Sequence, residues 1–141
     1  NRSSRGLGDV YKRQGQDRNT KIVYDSISEL NDGDRVLISF AYGASTKPEV
    51  HPMAVGLLNH LFTKGIKVYI VSLWPESPIM AEQAISAIKE SQLFDIKDGI
   101  DFVMFDYKVG GFVVIKGIAD NFRDIYQQDK KFFYSYFLIL Y

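Results

Sequence analysis

The chain has 141 residues, 46% of them hydrophobic, with 17 Lys and Arg against 17 Asp and Glu and no cysteine. This composition suits one globular core or part of one, excludes disulfides, thiolate catalysis and zinc–thiolate sites, and leaves the compartment open. No run approaches the roughly 18 apolar residues of a membrane span, and the apolar tail "FFYSYFLILY" is too short for one.

Residues 1–14 stand apart from the rest of the chain. They have no apolar period, and "SRGLGDVYKRQ", Ser4 to Gln14, resembles the in-frame translation of a transposon-end sequencing adaptor. The resemblance implies that residues 1–14 are foreign to the fold and make no core contacts. It also implies that the chain is a metagenomic or draft-sequence fragment of a longer protein. These residues hold Arg2, Arg5, Lys12 and Arg13 against Asp9; without them 13 basic side chains face 16 acidic ones, a net of −3. A slightly acidic body with no basic stripe argues against a nucleic-acid partner.

In chain order, "NTKIVYDSISEL" comes first and places Ile22, Val23, Ile27 and Leu30 on one helical face, with Asn19 as the N-cap. "NDGD" is a turn. "RVLISFAYG" is an apolar run that fits a strand covered on both faces. "HPMAVGLLNHLFTKG" reads as a helix with Pro52 in its first turn and Lys64-Gly65 at its end. "IKVYIVSLW" is a second buried strand. "SPIMAEQAISAIKES" is a helix with Ser77 as N-cap and Pro78 at the first position. "GIDFVMFDYKVG" supplies a third strand, and "GFVVIKGIADNFRDIYQQ" a helix weakened by Gly117.

Strands alternating with helices predict an α/β fold, a three-layer Rossmann-like sandwich on a parallel sheet, here an incomplete domain over residues 15–129. Val36 to Phe40, Lys67 to Leu73 and Phe102 to Phe105 are expected as adjacent parallel strands with the first one central. An exposed strand edge is expected where further sequence would extend the sheet. Residues 130–141 form an apolar tail expected to dock poorly.

In an open parallel sheet, ligands bind beyond the C-terminal strand ends. Three loops qualify. The longest, "AYGASTKPEVHP", carries Tyr42, Ser45, Thr46, Lys47, Glu49 and His51; "WPESP" brings Trp74 and Glu76; "DYKVGG" brings Asp106, Lys108, Gly110 and Gly111. Tyr42, Ser45, Glu49, Trp74, Asp106 and Lys108 are expected in one cleft. Gly110-Gly111 would hold an anion at a helix start or simply form a tight turn. His51 has the chemistry of a general base, yet a histidine beside a proline at a helix start is more often a cap or packing residue. Glu76 and Asp106 are an acid–base pair or two solvated loop carboxylates. Trp74-Pro75 is an X–Pro step open to a cis bond. Glu49, His51 and His60 lack zinc spacing, no serine sits in a nucleophile elbow, and no metal or cofactor is implied.

"LISFAYGASTKPEVHPMAVGLLNHLF", "VYIVSLWPESPIMAEQAI" and "GIDFVMFDYKVGGFVVIKGIADNFRDIY" together resemble a bacterial family of membrane-associated proteins of uncharacterised activity. Its strand ends have the form S-F-[DA]-Y-x-[PA]-S-T-x-x-E-x-x-P-M-A, then L-W-P, then G-[YF]-K-x-G. The similarity covers about residues 20–126, with Ala41 where relatives commonly carry an acid. It implies a membrane anchor upstream and more α/β sequence downstream, so that association with the membrane comes from flanking segments. Two functions compete. One is a non-enzymatic domain in ligand binding, sensing or assembly, with a small-molecule or protein partner. The other is a hydrolase or transferase acting on an anionic small molecule at the strand ends.

Overall fold

The first helix sets its own limits. A computed structural model describes residues 18–93 and 95–126, and the chain divides into two compact units, Asn1–Leu30 and Asn31–Tyr141. The first unit holds helix α1, Arg18–Ser28, in which Ile27 is buried while Ile22 and Val23 are half exposed. The helix already includes Asn19, so Asn19 is not its N-cap. Expectations for residues 1–14 and 130–141 lie outside the described residues.

The second unit runs β1 (Arg35–Phe40), α2 (Lys47–Thr63), β2 (Lys67–Ser72), α3 (Ser77–Glu90), β3 (Phe102–Met104) and α4 (Phe112–Ile125). All pairings are parallel, with Val36 opposite Val68 and Ile70 opposite Met104. The fold is therefore the expected mixed α/β sandwich on a parallel sheet. No helix among the described residues is long and apolar enough to cross a membrane.

The strand order is β1-β2-β3, so β2 is central and the expectation of a central first strand is corrected. Two successive right-handed crossovers that step the same way put α2 and α3 on one face. That is where they lie, packed side by side. Ala81 and Ala84 of α3 are fully buried, as are Leu58 and Leu61 of α2. A central β1 would have sent α3 to the opposite face.

Alternation along the strands gives the sheet two different faces. Val68, Ile70 and Phe102 point toward α2 and α3, where the Phe62 and Phe102 rings meet edge-on at 6.5 Å. Val71, Val103 and Phe105 point the other way, into a cluster with Tyr126 that also draws in Ile118, Phe122 and Ile125 of α4. On β1 that second face carries exposed Arg35, Leu37 and Ser39. The strand expected to be covered on both sides is thus open on one.

Helix ends obey local chemistry. After α2, Gly65 at φ 70° donates to the Phe62 carbonyl at 3.0 Å, and Ile66 donates to that of Leu61 at 3.1 Å. These two bonds make a Schellman motif, which requires the left-handed conformation that glycine adopts freely. A Cβ here would also run into the Asp32 carboxylate. Helix α4 breaks at Asn121 (φ −157°, ψ 99°). The Asn121 Oδ1 accepts from the Arg123 N–H at 3.2 Å and its Nδ2 donates to Asp124 at 2.8 Å. Asn121 thereby caps a last helical turn that returns Ile125 and Tyr126 to the core.

At the N-terminal edge of the sheet, Lys67 Nζ meets Asp101 Oδ1 at 2.8 Å. Burial raises the Asp101 carboxyl's pKa, but hydrogen bonds from Lys67 and the Lys97 N–H, with the charges of Lys67 and Lys97, outweigh it and leave it below its ordinary value. A depressed carboxylate stabilises the fold above its unfolded pKa, and that stabilisation is lost as pH falls through the lower folded value. Asp101→Asn should therefore cost about 1 kcal/mol at neutral pH for this partly exposed pair. In urea titrations the gap from the parent should close progressively as the pH is lowered below about 4. A gap unchanged with pH would contradict the ion-pair account.

Candidate functional site

Because the three strands are parallel, the loops after β1, β2 and β3 share one edge, as expected. Their geometry differs from the expectation in length. Helix α2 begins at Lys47, with Thr46 at its N-cap position and Pro48 in its first turn. Lys47, Glu49 and His51 are thus helical, and the long loop shrinks to residues 41–46. Pro48 needs no N–H at that position, whereas Pro52 lies inside the helix and forfeits one internal bond.

The first two loops are tied together. Ser77, fully buried, donates from Oγ to the Tyr42 carbonyl at 3.1 Å. It lies within α3, the N-cap position belonging to Glu76, so the reading of Ser77 as cap is corrected. The Glu76 carboxylate accepts from the Ala44 N–H at 2.7 Å. A Cβ on Gly43 would collide with that same carboxylate, so glycine there allows the close approach. Ser45 and Thr46 are exposed, and Thr46 Oγ1 faces the Gly43 carbonyl at 3.4 Å. The Trp74–Pro75 bond is trans, and Trp74 is largely exposed.

Tyr42 and His51 form a side-chain pair. The Tyr42 hydroxyl lies 2.8 Å from His51 Nδ1. Burial raises the Tyr42 pKa. Burial, then the Lys47 ammonium, lowers that of His51. Both shifts favour the neutral form of their group, and in the tautomer with the imidazole proton on Nε2 the Tyr42 O–H donates to Nδ1.

The third loop goes elsewhere. Lys108 lies over the Tyr126 ring at 5.6 Å. Gly110 and Gly111, at φ 139° and 47°, turn the chain into α4. Asp106 lines an open groove of about 560 Å³ that runs along α3 and β3. Pro78, Glu82, Ile85, Ser86 and Lys89 form its α3 wall, and Asp98, Phe102, Met104, Phe105, Asp106 and Tyr107 its other side. Of the six residues predicted to share a cleft, only Asp106 lines this one. The loops share an edge, and two of their polar groups are used locally, Glu76 on Ala44 and Tyr42 on His51.

Sequence reasoning missed the groove because its wall is a helix flank rather than a loop. One signal was available: Glu82, Ser86 and Lys89 recur at helical spacing on the polar side of α3, beside the buried Ile85. Lys89 Nζ sits 5.2 Å above the Phe102 ring, a cation–π contact that holds it at the groove. Comparison with protein-family models, with curated proteins and with solved structures finds no match in any of the three.

Proposed function

We propose that this chain is a ligand-binding or sensing domain of a membrane-associated bacterial protein, and that its ligand lies in the groove between α3 and β3. The observation that carries the reading is the groove's composition. Glu82, Asp98 and Asp106 set three carboxylates against the single ammonium of Lys89, around an apolar floor of Ile85, Phe102 and Met104. Such a surface favours a ligand with an apolar body and a positive head, and repels an anion. Association with the membrane rests on the family resemblance in the three strand–loop segments.

Three probes that share a phenyl group test this by thermal unfolding: 2-phenylethylammonium, neutral 2-phenylethanol and 3-phenylpropionate. The ammonium compound should stabilise the chain by about 1.4 kcal/mol at ten times its dissociation constant, a shift of several degrees. Glu82→Lys with Ser86→Arg, both exposed on α3, should abolish the shift without lowering the ligand-free midpoint. Equal shifts from all three probes would contradict the reading.

A catalytic reading, hydrolase or transferase on an anionic small molecule, draws on the Tyr42–His51 bond at the strand ends. It is favoured instead if 3-phenylpropionate or inorganic phosphate alone stabilises the chain and His51→Gln removes that effect.

A further inference from the structure

The order β1-β2-β3 leaves one side of β3 without a neighbouring strand among the described residues. Parallel pairing fixes which backbone groups face that side. The Asp101 carbonyl takes the Val68 N–H at 2.9 Å, and the Phe105 N–H donates to the Ile70 carbonyl at 2.9 Å. Backbone groups alternate along a strand, so Phe102 and Met104 turn their N–H and C=O away from β2. The chain already uses the first of these outward groups. The Phe102 carbonyl accepts from the Gly99 N–H at 2.8 Å, beside a parallel bridge between Asp98 and Phe102. That bridge stops before Met104, whose N–H and C=O carry the open edge onward. The groove lies along this same edge, with the α3 flank as its facing wall. A groove walled by a helix and an open strand edge admits an extended peptide as an added strand. Charge then selects the peptide. Asp98 stands beside Phe102 and Asp106 four residues farther on, about 13 Å at the rise of a strand, with Glu82 on the facing wall. The neighbouring ammonium groups of Lys97 and Lys108 are directed elsewhere, to Asp95 at 3.5 Å and over the Tyr126 ring.

We propose that the ligand of the groove is a basic peptide segment that pairs antiparallel with β3 at Met104, with an apolar side chain on the floor and a Lys or Arg two residues to either side. This rests on the groove as the ligand site and adds the ligand's class. A residue opposite Met104 exchanges both backbone bonds with it and turns its side chain to the same face, over Met104. Residues two before and two after share that face and span the distance from Asp98 to Asp106. Lysine or arginine there complements the carboxylates.

Hydrogen exchange of the full chain, followed by NMR, tests this with the capped peptide TKTFTKT. At saturation the Met104 amide should exchange about 10-fold more slowly, because its N–H gains an acceptor. N-methylation at the central Phe removes the donor to the Met104 carbonyl and should weaken binding about 10-fold. N-methylation at the Thr that follows, whose N–H points away from β3, should leave binding in place, and the peptide TETFTET should not bind. If TKTFTKT fails to bind while 2-phenylethylammonium still perturbs the α3 flank, or if the two N-methyl peptides bind alike, the added strand is overturned and the groove stands. If neither TKTFTKT nor 2-phenylethylammonium binds, both readings fall. Protection of Met104 that rises with protein concentration in the absence of peptide would assign the edge to a second copy of the chain and also overturn the proposal.

Discussion

Tyr126→Ala should cost about 3–5 kcal/mol, enough to remove most of the stability of a domain this small. Tyr126 has no exposed surface. Its ring lies 4.7 Å from that of Phe105 and 5.0 Å from that of Phe122, with Lys108 over its face. This cluster joins α4 to the second face of β2 and β3 through Val71 and Val103. Truncation leaves a cavity that these rings cannot refill, because the aromatic rings around it are fixed by one another. Circular dichroism during heating should show a lost or broadened transition. A cost under about 1 kcal/mol, the size of an ordinary substitution, would mean that α4 is not docked there.

Leu61→Ala should cost about 2–5 kcal/mol. Leu61 is fully buried and its carbonyl takes the Ile66 N–H that closes the Schellman motif. The change empties the seam between α2 and the sheet just where the chain turns into the central strand. Gly65→Ala tests the same corner through the backbone. It places a Cβ at positive φ against Asp32 and should cost at least the roughly 1 kcal/mol of a left-handed residue. Urea unfolding of both variants should show a lower midpoint at an unchanged slope. A parent-like midpoint for Leu61→Ala would contradict the packing described for this seam.

Much of the architecture is legible in the sequence because βα alternation and helix punctuation are local. Lys64-Gly65 marks its helix end correctly, and each apolar run becomes a parallel strand. Strand order is less legible. "RVLISF" and "KVYIVS" are similarly apolar, and nothing within either segment says which is central. The signal lies in α3, whose Ala81 and Ala84 mark a close helix–helix seam and therefore a shared face. Pro52 suggests a late start for α2, because a proline inside a helix costs a bond; Pro48 is the better start signal, sitting where no N–H is needed. Asn121 falls within an unbroken helical pattern, although its side chain suits a cap and competes with the helix.

The candidate site is legible as an edge. The rule for strand ends places Tyr42, Trp74 and Asp106 on one side of the sheet, which is a backbone property. Which polar groups meet depends on side-chain reach. Glu76 is close enough to occupy the Ala44 N–H, and Tyr42 is close enough to occupy His51. The groove is lined jointly by the α3 flank and by β3 with its flanking loop residues, and a loop-by-loop reading does not contain that.

The central claim is that ligand occupies the groove between α3 and β3. Backbone amide shift mapping by NMR during titration with 2-phenylethylammonium tests it most directly. The account predicts perturbations that saturate at Ser86, Lys89, Asp98 and Met104 to Tyr107, and that are absent in the Glu82→Lys, Ser86→Arg variant. Saturating perturbations confined to Gly43, Ala44, His51 and the Gly110-Gly111 turn, with the α3 flank silent, would contradict it.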